Sequence, residues 1–264
     1  MSFFTAQGIS AGYGADSIIK DLSFSLEAGS LVGILGANGS GKTTLLKALC
    51  GILPHSGRCT LRGEALEALS PRELARRCGY IPQRSGISID ISALDVVLMG
   101  FNPRLGLLER PTSAMISAAR ASLAQVGLAG RESANYLHLS EGQKQLCILA
   151  RTLVAGSRLL LLDEPESALD FHFRHRMLHT IRQWVAEGDR CGIVALHDPA
   201  LALNYCDRLL LLSGGTVTQC LCPGEDALDN MEKKLATIYG PLSLLRCETR
   251  SGGEQLVMLK EEPI

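Results

Sequence analysis

Apolar residues recur along this chain in three rhythms. Residues 3–9 and 18–26 alternate or run apolar between the turn signals AGYGAD and EAGS, which reads as strands of an N-terminal antiparallel sheet. Leu31 to Leu35 (LVGIL), Leu159 to Leu162 (LLLL) and Ile193 to Leu196 (IVAL) are short, wholly apolar runs. Such runs are strands buried on both faces of a parallel sheet. Helical patterns occupy about 45–53, 71–78, 92–100, 113–127 and 140–154. Ser70, Ser92 and Ser140 stand as N-caps, and Gly127 as a terminator. Residues 208–219 form a hairpin about a Gly-Gly turn. The tail from 225 carries one amphipathic helix, then a Ser-Gly-Gly turn between two strand-like pieces. The order predicts an α/β fold with an N-terminal antiparallel β subdomain. Between about 88 and 157 the pattern turns mostly helical, as an inserted α-helical subdomain.

Between the first apolar run and its helix lies GANGSGKTT, comprising Gly36, Ala37, Asn38, Gly39, Ser40, Gly41, Lys42, Thr43 and Thr44. This is G-x-x-x-x-G-K-[ST] in the strand–loop–helix setting that gives it meaning. Glycines at 36, 39 and 41 let the backbone fold tightly enough to aim several N–H groups at one anion. The helix that follows adds the positive end of its dipole. Lys42 supplies charge for the β- and γ-phosphates, and the Thr43 hydroxyl is a ligand for Mg²⁺. The core is therefore a P-loop NTPase sheet, mixed or mainly parallel, flanked by helices.

Composition narrows the setting. Apolar residues make up 46% of the 264 and charged residues 20%, an ordinary globular balance with room for at most about two domains. A net charge of −1 argues against nucleic-acid binding through bulk charge, while leaving room for a local basic patch. No apolar run approaches the ~18 residues needed to span a membrane, and MSFFTAQGIS lacks the regions of a secretory signal, so the chain is expected in the cytosol. Nine scattered cysteines are no disulfide framework. They read as reduced, mostly buried small apolar residues, and Cys220 and Cys222 lack further ligands for a metal.

Further chemistry sits at the ends of the apolar strands, where α/β sheets place ligands. Asp163 and Glu164 abut the four leucines. Asp163 suits Mg²⁺, through water, and Glu164 suits polarising the attacking water. Gln83, after Tyr80-Ile81-Pro82, is either a ligand or water-orienting group, or an ordinary loop glutamine. His197 ends a strand within reach of a γ-phosphate. Tyr13 is either a platform for an adenine ring or a half-buried strand tyrosine. Ser140, with Glu141 and Gly142 behind it, opens a helix whose N-terminus is either an anion site or simply a well-capped helix start.

Taken together, Tyr13, GANGSGKTT, Gln83, LSEGQ (Leu139, Ser140, Glu141, Gly142, Gln143), LLLLDEP, SALD (Ser167 to Asp170) and His197 resemble the ATPase subunit of ATP-binding cassette (ABC) transporters over roughly residues 3–240. The resemblance implies an ATPase domain at 1–240 and a short C-terminal tail at 241–264. It implies ATP and Mg²⁺ as cofactors, with Thr43, Gln83 and Asp163 about the metal. Glu164, His197 and Gln83 take the catalytic roles. A second copy pairs head to tail, each ATP sandwiched between one glycine loop and the partner's signature, with Ser167 and Asp170 on the loop that crosses the dimer. It also implies membrane permease subunits, indirectly an extracytoplasmic substrate-binding protein, no nucleic acid, and a place on the cytoplasmic face of the membrane.

Two departures stand out. Glu141 occupies a position where glycine is usual and is expected to face solvent. Glu166 replaces Ser or Thr, with little effect expected. LDVVLMGFNPRLG and LHDPALALNYCDRLLLLSGG are similar to importers of iron–siderophore complexes, haem and vitamin B12; the stretch 84–106 is expected in the groove that receives the permease. The alternatives are a zinc/manganese importer or a non-transport relative such as an iron–sulfur assembly scaffold. A kinase reading leaves LSEGQ unexplained.

Overall fold

The computed structural model describes residues 2–261 apart from 85, 107, 168 and 251. Ala168 of the SALD stretch and Ser251 of the tail turn thus lie outside the described residues.

Strands β1 (Phe4–Tyr13), β2 (Asp16–Leu26), β4 (His55–Leu61) and β5 (Glu64–Ala65) form an antiparallel sheet in the order β2-β1-β4-β5. The first two run longer than the alternation suggested. A second, six-stranded sheet holds β3 (Leu31–Leu35), β6 (Cys78–Ile81), β7 (Leu159–Asp163), β8 (Cys191–Ala195), β9 (Arg208–Ser213) and β10 (Thr216–Leu221). Its order is β10-β9-β3-β8-β7-β6, and only the β9–β10 hairpin is antiparallel.

The wholly apolar strands are explained by a core on each side. Successive side chains of a strand point to opposite faces. In β7, Leu160 and Leu162 enter one core while Leu159 and Leu161 enter the other; in β3, Leu31 and Leu35 divide from Val32 and Ile34 in the same way. The second core also takes α1 (Lys42–Leu49) and the antiparallel sheet. The first takes α3 (Ala93–Leu98), α4 (Ser113–Gln125), α5 (Glu141–Val154) and α6 (Phe171–Ala186). Along β3, β7 and β8 neither face can accept a polar residue without burying it, whereas the edge strand β10 leaves Thr216, Thr218 and Gln219 exposed.

The helix starts follow their caps. Ser92 and Ser140 form capping boxes with Asp95 and Gln143, and Ser70 does so with Glu73 on α2 (Pro71–Arg77). Arg72 and Arg76 of α2 donate to Pro103 O, which pins the loop after α3. Helix α1 stops at Leu49, short of the expected Leu53. The tail folds back onto the domain. After α7 (Pro199–Tyr205) and α8 (Leu228–Tyr239), the hairpin of β11 (Leu242–Glu248) and β12 (Glu254–Lys260) is held by the Asn204 amide, which exchanges two hydrogen bonds with the Leu256 backbone at 2.8 and 2.9 Å. Among the described residues no helix is long and apolar enough to cross a membrane.

Candidate functional site

Strands β3, β6, β7 and β8 run parallel, so their carboxyl ends deliver four loops to one edge of the sheet. The glycine loop follows β3. There a Cβ at position 36 would lie 2.4 Å from Leu212 O and 2.6 Å from Ser40 Oγ, so only glycine fits. Gly41 caps α1 with φ +104°, a conformation side chains resist. Lys42, 5% exposed, folds back so that Nζ donates to Gly36 O at 2.9 Å and Ala37 O at 3.4 Å.

The loops after β7 and β8 bring the acids. Thr43 Oγ1 donates to Asp163 Oδ1 at 3.0 Å and the Tyr80 hydroxyl to Oδ2 at 3.3 Å. Burial pushes the Asp163 carboxyl above its usual range, against the lowering effect of the Thr43 hydrogen bond. Glu164 takes φ +49°, an uncommon conformation for a residue with a Cβ, of the kind that stores strain at functional sites. It is anchored by its N–H to Ala195 O at 3.1 Å. Its carboxylate is the hub of the site: Gln83 Nε2 donates to Oε2 at 2.9 Å, His197 Nε2 lies 2.8 Å from the same oxygen, and Lys42 Nζ sits 3.5 Å from Oε1. His197 is placed by its neighbour Asp198, whose carboxylate caps α7 through Ala200 N.

The cavity so formed, about 390 Å³, is lined by Ile18, residues 38–44, Gln83, Glu164 and His197. Its donor set fits a Mg²⁺-nucleoside triphosphate. The first N–H groups of α1 lack helical partners, Ser40 Oγ is buried without a partner, and the Thr43 hydroxyl lies beside a buried carboxylate that a divalent cation would compensate.

Other predicted residues lie elsewhere. Tyr13, 46% exposed, lines a separate open cavity with Gly12, Gly14 and Pro54. Ser140, Glu141, Gly142 and Gln143 do not line the phosphate-loop cavity; they open α5 at the surface, and Leu139 is buried in the core beside them. Glu141 faces solvent and pairs with Lys144 at 2.7 Å. Ser167 is exposed, and Asp170 caps α6 through Phe173 N at 3.0 Å.

One expectation needs correcting. Glu166 is not a bystander: it is 3% exposed, Oε1 accepts the His197 backbone N–H at 3.0 Å, and Oε2 is buried with no partner. Burial pushes its carboxyl above the usual range. Tyr80 and Gln145 were not singled out from the sequence either, and Gln145 Nε2 donates to Gln83 O at 2.6 Å, tying α5 to the loop of Gln83. No local spacing links these pairs, which stand 62 to 83 residues apart.

A glycine-loop ATPase fold with its strand-end acids is thus the class defined here. Residues 19–167 match the ABC transporter family, and the chain belongs to it. It is 40% identical over 229 residues to the hemin import ATP-binding protein HmuV of Deinococcus radiodurans, covering 84% of each chain. To the protein of the same name from Bordetella avium it is 35% identical, over 97% of this chain and 98% of that one. It is 34% identical to the cobalamin import ATP-binding protein BtuD of Halobacterium salinarum, of which it spans 54%. Among solved structures, the ATP-binding cassette MJ1267 superposes with a TM-score of 0.79 at 23% identity, over 90% of this chain and 99% of that one, which speaks for the fold.

Proposed function

We propose that this ATPase energises an importer of haem, iron–siderophore or cobalamin, as one of two copies that close on ATP beneath a membrane permease. The observation that carries the dimer is the division of the phosphate site. The cavity about Lys42 is lined by Ile18, the glycine loop, Gln83, Glu164 and His197, while the capped, exposed N-terminus of α5 at Ser140, with its unpartnered first N–H groups, does not line it. A second copy brought head to tail supplies Ser140 and Gly142 to the far side of the γ-phosphate. Closure then depends on that phosphate, and its loss by hydrolysis reopens the pair.

Within one half, Glu164 polarises the attacking water, with His197 and Gln83 orienting its carboxylate. Lys42 exchanges its loop carbonyls for phosphate oxygens. Thr43 and, through water, Asp163 would hold Mg²⁺, with the Gln83 side-chain oxygen beside them; the ion when bound neutralises charge on the β- and γ-phosphates. Tyr13 stacks on the adenine, and Ser167 and Asp170 lie at the crossing loop.

Residues 1–240 form the ATPase domain, with about 88–157 as its helical subdomain and 241–264 as tail. The permease docks along the surface that includes 84–106, placing the chain at the cytoplasmic face, with a substrate-binding protein acting from the other side. The names of the import relatives support the cargo class. Cells with and without this subunit, given labelled haemin, ferric siderophore or cobalamin, test it: uptake of one should fall to background without the chain. Undiminished uptake of all three, with zinc or manganese uptake lost instead, would overturn the cargo class.

A further inference from the structure

We propose that His55, Cys59 and Glu67 form a binding site for a divalent ion of the zinc class, apart from the phosphate-loop cavity, with His55 also bordering the open cavity of Tyr13. Three different ligand types converge there: an imidazole, a thiol and a carboxylate. His55 Nε2 lies 3.3 Å from Glu67 Oε1 and 4.0 Å from Cys59 Sγ, and all three atoms fall within 4.8 Å of one another. An ion holding sulfur at ~2.3 Å and nitrogen and oxygen at ~2.0–2.2 Å in a tetrahedron sets its ligands about 3.3–3.6 Å apart. The His–Glu edge already has that length. The His–Cys edge, at 4.0 Å, closes by a few tenths of an ångström through a small turn of the His55 ring, and the Glu–Cys edge by a modest turn of Glu67, the more exposed of His55 and Glu67 at 34% of its side chain.

The scaffold holds the ligands firmly. His55 and Cys59 stand four apart on β4, which pairs with β1 on either side of a bulge opposite Gly57. Gly57 takes φ +90°, and a Cβ there would lie 2.4 Å from Gly8 O. Glu67 sits on the single helical turn Leu66–Ala68 that follows β5, and its Oε1 also accepts the Cys59 backbone N–H, an outer hydrogen bond of the sort that orients a metal ligand. Mixed N, S and O donors favour zinc over magnesium or calcium, which take oxygen.

The position gives the ion a way in. His55 and Glu67 lie on the wall of a cavity of about 540 Å³ that runs past Cys50 at the end of α1 to Tyr80. The fourth coordination position opens on it, for water or an exchangeable ligand. In the metal-free protein Cys59 is a buried neutral thiol, its pKa pushed up to about 12 by burial and by the Glu67 carboxylate. On binding, the S–H bond gives way to an S–metal bond and the proton leaves to solvent.

Cobalt is the probe, because a thiolate bound to Co²⁺ absorbs in the near ultraviolet. The full chain, stripped of metal and nucleotide, is titrated with Co²⁺ and then with Zn²⁺. One equivalent should raise the thiolate band and Zn²⁺ should abolish it. Cys59→Ser should lose the band, and His55→Gln or Glu67→Gln should weaken binding at least about tenfold, the loss seen when even outer partners of a metal site are removed. Cys247→Ser, at an exposed cysteine, should match the wild type. Should Cys59→Ser fail to fold, the two rim variants carry the test. A wild type without the band, a band that survives Cys59→Ser, or equal affinity in all variants would overturn the site.

Discussion

Glu164→Gln tests the centre of the site with little change of shape. The carboxylate meets donors at both ends, His197 and Gln83 on Oε2 and Lys42 on Oε1. Glutamine can satisfy only one end. With its oxygen toward His197 and Gln83, its amide NH₂ meets the Lys42 ammonium, donor against donor; Lys42 keeps its bonds to Gly36 O and Ala37 O. Two hydrogen bonds to a charged acceptor become bonds to a neutral one, a change within about 2 kcal/mol, so the variant should fold. Binding should hold or improve, since the ammonium loses its competing carboxylate and a negative charge leaves the γ-phosphate pocket. Turnover should not survive. A positioned general base contributes roughly 10²–10⁴-fold, or about 2.7–5.4 kcal/mol at ~1.36 kcal/mol per decade. Nucleotide titration, steady-state phosphate release and light scattering read the three quantities; the variant should bind ATP, lose at least a hundredfold in kcat and accumulate a dimer. Turnover within tenfold of wild type would refute the role of Glu164. Weakened ATP binding would refute the account of its competition for Lys42.

Three further outcomes follow from the same geometry. Lys42→Ala removes a charge-assisted phosphate contact of about 1.5–3 kcal/mol and leaves Glu164 without its cation, so ATP affinity should fall by at least ~10-fold; wild-type ATPase activity would exclude the cradle. Glu166→Gln keeps an acceptor for the His197 N–H and deletes the ionisation. An acid raised by burial costs the fold stability progressively as pH rises from its unfolded value, about 4.3, through its folded one. The variant should therefore gain on wild type in urea unfolding between pH 4 and 8; a pH-independent difference would count against a buried ionisable Glu166. Glu141→Gly loses only a solvent-facing pair with Lys144, worth ~0–1 kcal/mol, so ATPase activity should stay within a few-fold; a larger change would place that side chain at the nucleotide.

Local chemistry was legible in the residues themselves. The glycine loop, the serine caps and the apolar strands depend on neighbours a few positions apart: a positive φ, a side chain reaching its own helix, an alternation between two faces. Hence GANGSGKTT, Ser140 at the head of α5 and the acids after LLLL stand where the pattern put them. The two-sided core was implied as soon as Leu159 to Leu162 left no polar face. The tertiary structure decided everything that depends on two distant strands ending at one edge. It made Glu164 the shared acceptor of Gln83, His197 and Lys42, and it brought Tyr80 to Asp163. It turned Glu166 from an incidental substitution into a buried acid holding the His197 backbone, and it set His55 and Cys59 against Glu67. Sequence spacing carries no record of such meetings, because they are set by the parallel order of the sheet and by what each face must bury.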